Sequence, residues 1–175
     1  MSGDGTEAGV LTVQIGGRCR KELTLALREA GIQLNTFAET LLERPEFENP
    51  ASQSLDVVVR TVSELGHPDG AVQSEIFAAA TALGLELCPL LAGPDLRLAL
   101  VDQANAPDSV LSGGKAPTGA IHVASAPVSA DVEYPKGFYL RVVDGQPWLR
   151  GFRCDDTYRW PADTALAFAL PRSDG

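Results

Sequence analysis

The pattern of hydrophobic and polar positions predicts a mixture of strands and helices along the chain. Leu11, Val13 and Ile15 alternate with polar residues, which is typical of a half-buried strand. Extended patterns predict further strands over residues 55–62, 96–100, 121–126 and 165–170.

Apolar residues at helical spacing predict three helices. The first covers residues 20–30 and ends at Gly31, and the second runs to residue 42 with Asn35 able to cap its start. The third follows the turn at 67–70 and ends at Gly84.

A β-hairpin is predicted near the C-terminus. Asp144-Gly145 is a preferred pair for a two-residue type I′ turn, and it lies between two extended segments. This turn sets the register, so that Arg141 faces Trp148 and Tyr139 faces Arg150 on one face. The other face forms the core, and it carries Phe138, Leu140, Val142, Pro147, Leu149 and Gly151.

Together these elements predict an α+β fold, with about three helices packed on a mainly antiparallel sheet that ends in the C-terminal hairpin. The length of 175 residues fits one globular domain over residues 10–171. Residues 1–9 are expected to form a disordered tail, residues 172–175 a frayed end, and residues 102–119 a mobile loop or lid.

Composition and charge narrow the classes of partner. The formal net charge of −9 disfavours nucleic acid and anionic membranes as partners. The sequence shows no membrane span or export signal, and three cysteines are too few for a disulfide framework. We therefore expect a cytoplasmic protein, and the composition indicates a bacterial one. A homodimer is compatible with the sequence.

The hairpin region departs from this acidic balance. Seven of the eleven aromatic residues lie within residues 134–160, together with five basic and three acidic residues. Tyr139, Arg141, Trp148 and Arg150 share the non-core face, where rings and guanidinium groups could stack on and pair with a flat anion. The leading hypothesis is a non-catalytic accessory protein that binds a protein partner or a flat anionic small molecule there. The alternative for this face is ordinary cross-strand packing.

A second hypothesis is a small hydrolase-like enzyme that needs no cofactor. It would use Cys88 with His67 or His122, and Arg97 would hold an anionic substrate. The alternative for Cys88 is that it is an ordinary buried thiol of the core. His122 is expected to point away from the core. The spacing of the cysteines and histidines does not indicate a metal site.

Two further motifs are weak. Gly16-Gly17-Arg18 between a strand and a helix could bind an anion, although a plain turn fits better because the other glycines of a dinucleotide motif are absent. The first two helices could form a helix-turn-helix, as in a DNA-binding regulator or antitoxin. Glu39 and Glu43 on the second helix argue against contact with a DNA groove.

Several short segments also carry a family resemblance. They are Glu64-Leu65-Gly66, Glu75-Ile76-Phe77-Ala78-Ala79-Ala80, Leu85-Glu86-Leu87-Cys88-Pro89, Gly93-Pro94, Leu96-Arg97-Leu98 and Trp148-Leu149-Arg150-Gly151. Over roughly residues 57–170 the chain resembles a set of short uncharacterised bacterial proteins, some of them labelled helicases. The resemblance implies no activity, but it places Cys88, Arg97 and the hairpin in one domain. It also implies that residues 10–45 are an added N-terminal element, a strand followed by a helical hairpin. The helicase label has no support in the residues, since the chain lacks a phosphate loop.

Overall fold

The computed structural model describes residues 10–100, 120–126, 131, 133–143, 145–153 and 157–171. The predicted tail, the frayed end and the whole predicted loop at 102–119 lie outside these residues, as does Cys154. Within the described residues the fold is α+β, as the sequence predicts, with four α-helices, a seven-stranded sheet and a two-stranded sheet.

The helices have the following bounds: α1 Arg20–Glu29, α2 Thr36–Leu42, α3 Gln73–Ala82 and α4 Ala92–Ala99, with a 3-10 turn at Pro45–Phe47. The strands are β1 Val10–Ile15, β2 Gln33–Leu34, β3 Gln53–Thr61, β4 Ala71–Val72, β5 Ile121–Val123, β6 Gly137–Val143, β7 Gln146–Phe152, β8 Arg159–Trp160 and β9 Ala165–Ala169.

The large sheet has the order β1-β3-β9-β5-β6-β7-β2, and β4 pairs with β8 in the small sheet. Four of the six pairings in the large sheet are antiparallel, and the β5–β9 and β2–β7 pairings are parallel. Residues 10–45 therefore contribute both edge strands, β1 and β2, to the same sheet as the hairpin.

The sheet has helices on both faces. Helices α1, α2 and α4 cover the first face, where they bury residues such as Ile15, Phe138 and Leu140. Helix α3 covers part of the second face through Ile76 and Ala80, which pack in one cluster with strand residues that include Phe168.

The predicted strand over residues 96–100 is wrong, because residues 92–99 form helix α4. Leu96 and Leu100 are four residues apart, so the short alternation also fits one face of a helix. Leu96 is fully buried in the first-face core. Pro94 lies in the first turn of the helix, where its missing N–H costs no hydrogen bond.

Candidate functional site

The hairpin register agrees with the prediction. Arg141 pairs with Trp148 and Tyr139 with Arg150, and Gly145 has the positive φ of 81° that the turn requires. Asp144 lies outside the described residues. The two faces therefore separate as expected, with Phe138, Leu140 and Leu149 at most 1% exposed on the core face.

Asn35 attaches helix α2 to strand β7 of the hairpin. Its side-chain oxygen accepts from the Ala38 N–H at 2.8 Å as the helix N-cap, and from the Gly151 N–H at 2.9 Å. Its amide nitrogen donates to the Gly151 carbonyl at 3.1 Å. Because β2 ends at Leu34, the side chain of Asn35 continues the pairing of β2 with β7 by one residue.

On the second face, Trp148 and Arg150 form a stacked pair. The Arg150 guanidinium carbon lies 4.3 Å from the centroid of the Trp148 ring, and both residues are half-buried. A cation over an indole face is worth about 0.5–2 kcal/mol, depending on exposure. Tyr139 lies directly opposite Arg150 and is also half-buried. We call Tyr139, Trp148 and Arg150 the hairpin surface.

Arg150 differs from two other stacked arginines in having no described carboxylate partner. Arg44 stacks on Tyr134 and pairs with Glu46 at 3.0 Å, and Arg153 stacks on Phe37 and pairs with Glu133. Among the described residues, no carboxylate pairs with Arg150, and its buried Nε has no hydrogen-bond partner. Arg150 is therefore a half-buried cation whose charge no described carboxylate balances.

Arg141 does not form part of an open platform, which corrects the sequence prediction. Its side chain shares the face of Trp148, but only 2% of the residue is exposed. The alternation of a strand assigns a side chain to a face, but it does not say whether other segments cover that face.

Arg97 is also placed differently from the prediction. It lies on helix α4, is fully buried, and donates to the main-chain carbonyls of Arg141 at 3.3 Å and Trp148 at 3.4 Å. It also donates to the Leu100 carbonyl. Burial lowers the pKa of Arg97 to about 10, so the side chain remains cationic at neutral pH. It braces the hairpin backbone rather than presenting its charge to a ligand.

His122 lies inside the molecule, so the expectation that it points away from the core is wrong. It is 5% exposed and stacks on Tyr139 with ring centroids 5.0 Å apart. The rings of Trp160 and Phe152 meet it edge-on, with centroids 4.7 and 5.1 Å away. Burial lowers the pKa of His122 to about 3, against an opposing hydrogen bond with the backbone of Ala165. The imidazole is therefore neutral at neutral pH.

The side chains of the enzyme hypothesis are not brought together. Cys88 is 3% exposed in the first-face core, and its Sγ lies 3.6 Å from the Ala167 carbonyl. Burial raises the pKa of the Cys88 thiol to about 12. His122 is on the second face, and His67 is half-buried in the turn that closes with a hydrogen bond from Gly70. A thiol without a nearby base stays protonated and is a poor nucleophile.

The Gly16-Gly17-Arg18 turn already holds a carboxylate of the protein. Asp95, which is 7% exposed, accepts from the Gly16 N–H and from Arg18, both at 3.0 Å. The Gly17 N–H donates to the Pro50 carbonyl at 2.9 Å. Burial raises the pKa of Asp95, whereas the Gly16 hydrogen bond and the Arg18 charge lower it. The partner, 79 residues away from Gly16, left no signal in the local sequence.

Helices α1 and α2 do not form an independent helix-turn-helix. Strand β2 lies between them and pairs with Trp148 and Leu149, and α2 packs on strand β7. The exposed residues of the second helix include Glu39, which would repel DNA phosphates.

Comparison with known proteins yields no family: no protein-family model, curated protein or solved structure matches this chain. In the part of the chain that is described, no group of three or more His, Cys, Asp or Glu side chains could hold a metal ion. Nor do the described helices include one that is long and apolar enough to cross a membrane.

Proposed function

We propose that this protein is a non-catalytic binding protein that recognises a flat anionic group through the hairpin surface. The observation that carries the proposal is Arg150, which stacks on Trp148 but has no carboxylate partner among the described residues. A planar ligand would extend the stack on Trp148, and its carboxylate or phosphate would accept from the guanidinium.

The surroundings of the hairpin surface support a rigid site. The Tyr139 ring is held by stacking on His122, which is itself enclosed by Trp160 and Phe152. Beneath the strands, Arg97 bonds to the backbone of Trp148 and of its partner residue Arg141. A surface whose backbone and rings are already ordered loses less conformational entropy when a ligand binds.

The first test is native mass spectrometry of gently purified protein. Additional mass that disappears on denaturation would reveal a retained small molecule. Fluorescence titration with adenosine monophosphate and naphthalene-2-carboxylate, each a planar ring with an anionic group, follows. The chain has two tryptophans, so the Trp148→Phe variant separates a signal at the hairpin surface from one at the buried Trp160.

A matched pair of variants decides whether binding uses Arg150. We expect Arg150→Ala to weaken binding of the responding probe by about tenfold or more, the loss of one charge-assisted hydrogen-bonded contact. Arg159→Ala removes an exposed arginine on strand β8 and should leave binding unchanged.

The flat anionic group could belong to a protein partner instead of a small molecule. Pull-down with wild-type and Arg150→Ala protein distinguishes these two cases. A partner held by wild type alone would support the proposal. The proposal would be contradicted if wild type and Arg150→Ala captured partners equally, the native mass spectrum showed no retained ligand, and neither probe changed the fluorescence.

A further inference from the structure

The two edge strands of the large sheet, β2 and β1, differ in length and in how their backbone groups are paired. At one edge, β2 has only two residues, and the Asn35 side chain takes both the N–H and the carbonyl of Gly151. At the other edge, β1 is six residues long and pairs with β3 on one side. Within the described part of the chain, no strand lies along the other side of β1.

Strand β1 has none of the side chains that usually protect an edge. Natural edge strands carry charges, proline or bulges, which prevent another strand from adding. The sequence of β1, Val-Leu-Thr-Val-Gln-Ile, contains no charged residue and no proline, and all six residues pair with β3 in unbroken register. The side of β1 that faces away from β3, which no described strand covers, therefore presents a regular row of backbone donors and acceptors.

The side chains of β1 alternate cleanly between the two faces. Val13 and Ile15 are buried on the first face and Leu11 packs beside them, whereas Thr12 and Gln14 are exposed. On the exposed side, Thr12 donates to Asp56 at 2.6 Å and Gln14 donates to Ser54 at 3.1 Å. Side-chain contacts on both faces thus add to the backbone pairing of β1 with β3.

We propose that β1 is a self-association edge, through which two copies of this chain pair antiparallel and join their sheets into one. A two-fold axis through Val13 would place Leu11 opposite Ile15 of the second copy and Thr12 opposite its Gln14. Apolar residues then meet apolar residues, polar residues meet polar residues, and no like charges face each other within the paired strands. A second copy fits this edge because the strand is complementary to itself in that register.

Sedimentation equilibrium over a wide concentration range tests the proposal. We expect a species of twice the 18.5 kDa chain mass. The double variant Thr12→Lys, Gln14→Lys places lysines opposite each other across the two-fold axis and should weaken association by about tenfold or more. The control Ser74→Lys, Ala78→Lys adds the same charge to exposed positions of helix α3 and should associate like wild type.

Hydrogen exchange of the wild-type protein gives a second readout that does not depend on the folding of a variant. The β1 amides that point away from β3 should become more protected as the protein concentration rises, while the amides of β7 stay unchanged. A chain that remains monomeric at every concentration would overturn the proposal. So would a dimer that the lysine pair leaves intact, or one whose β1 amides gain no protection.

Discussion

The two faces of the C-terminal hairpin come from the same fourteen residues but differ in chemistry. On the first face, Phe138, Leu140 and Leu149 are almost fully buried beneath helices. On the second face, Tyr139, Trp148 and Arg150 are half-buried. Strand alternation separates the two sets, and the placement of the helices makes one face a core and leaves the other partly open.

The largest expected effect is on the first face. Phe138→Ala should reduce the free energy of unfolding by about 3–5 kcal/mol, because a fully buried ring leaves a cavity. The ring meets Phe47 edge-on at 6.1 Å, and it packs so closely on Gly93 that a Cβ there would lie 2.4 Å from the ring. Urea denaturation monitored by circular dichroism measures this change. A loss below about 1 kcal/mol would show that this face is not the core.

The next effect concerns His122 on the inner part of the second face. The folded protein holds its pKa at about 3, whereas the unfolded chain protonates near 6.5. Above pH 6.5 the residue is neutral in both states, so it does not change the free energy of unfolding as the pH varies. As the pH falls below 6.5, only the unfolded state takes up the proton, so stability is lost by about 1.4 kcal/mol per pH unit down to about pH 3.

The His122→Phe variant isolates this contribution. Between pH 8 and pH 5 we expect the variant to lose about 2 kcal/mol less stability than wild type, because its ring cannot protonate. Ser74→Ala, which changes an exposed residue of helix α3 that carries no titratable group, serves as the control and should follow wild type. Equal pH dependence of wild type and His122→Phe would contradict the buried neutral imidazole.

An effect of similar size is expected at Asn35, where a first-face helix joins the hairpin. Asn35→Ala removes the cap of α2 and two hydrogen bonds to Gly151, and should cost about 2 kcal/mol of unfolding free energy. Hydrogen exchange should show that the Gly151 amide loses protection ahead of the β3 amides. Thr36→Ala, which changes the next, exposed residue, is the matched control.

The smallest stability change is expected at the hairpin surface itself. Trp148→Ala and Arg150→Ala should each lower the free energy of unfolding by about 1 kcal/mol or less, since both residues are partly exposed and stabilise each other mainly by stacking. The binding measured in the fluorescence titration should nevertheless fall sharply. A destabilisation as large as that of Phe138→Ala would assign these side chains to the core and contradict the contrast between the two faces.

Local sequence signals predicted much of the scaffold correctly. The Asp144-Gly145 pair predicts the hairpin register, Asn35 predicts the helix cap that the structure shows, and Gly31 and Gly84 end helices with positive φ. In each case the deciding residues lie within a few positions of the feature that they specify, so local geometry is sufficient.

The same local signals failed where several structures fit them. Residues 96–100 alternate over too short a stretch to separate a strand from a helix, and the packing of Leu96 against the sheet decides for the helix. His122 shows a different kind of failure. Its strand was predicted, but its burial depends on Tyr139, Phe152 and Trp160, which reach it from other strands.

By itself, the sequence determined the α+β class, most of the strands and helices and the two faces of the hairpin, because periodicity and turn chemistry act between near neighbours. The tertiary structure alone decided that Arg141 and Arg97 are buried, that Asp95 occupies the glycine turn, and that Arg150 stays free of a described carboxylate. These outcomes depend on contacts between segments far apart in the chain, where sequence spacing carries no information about distance in space.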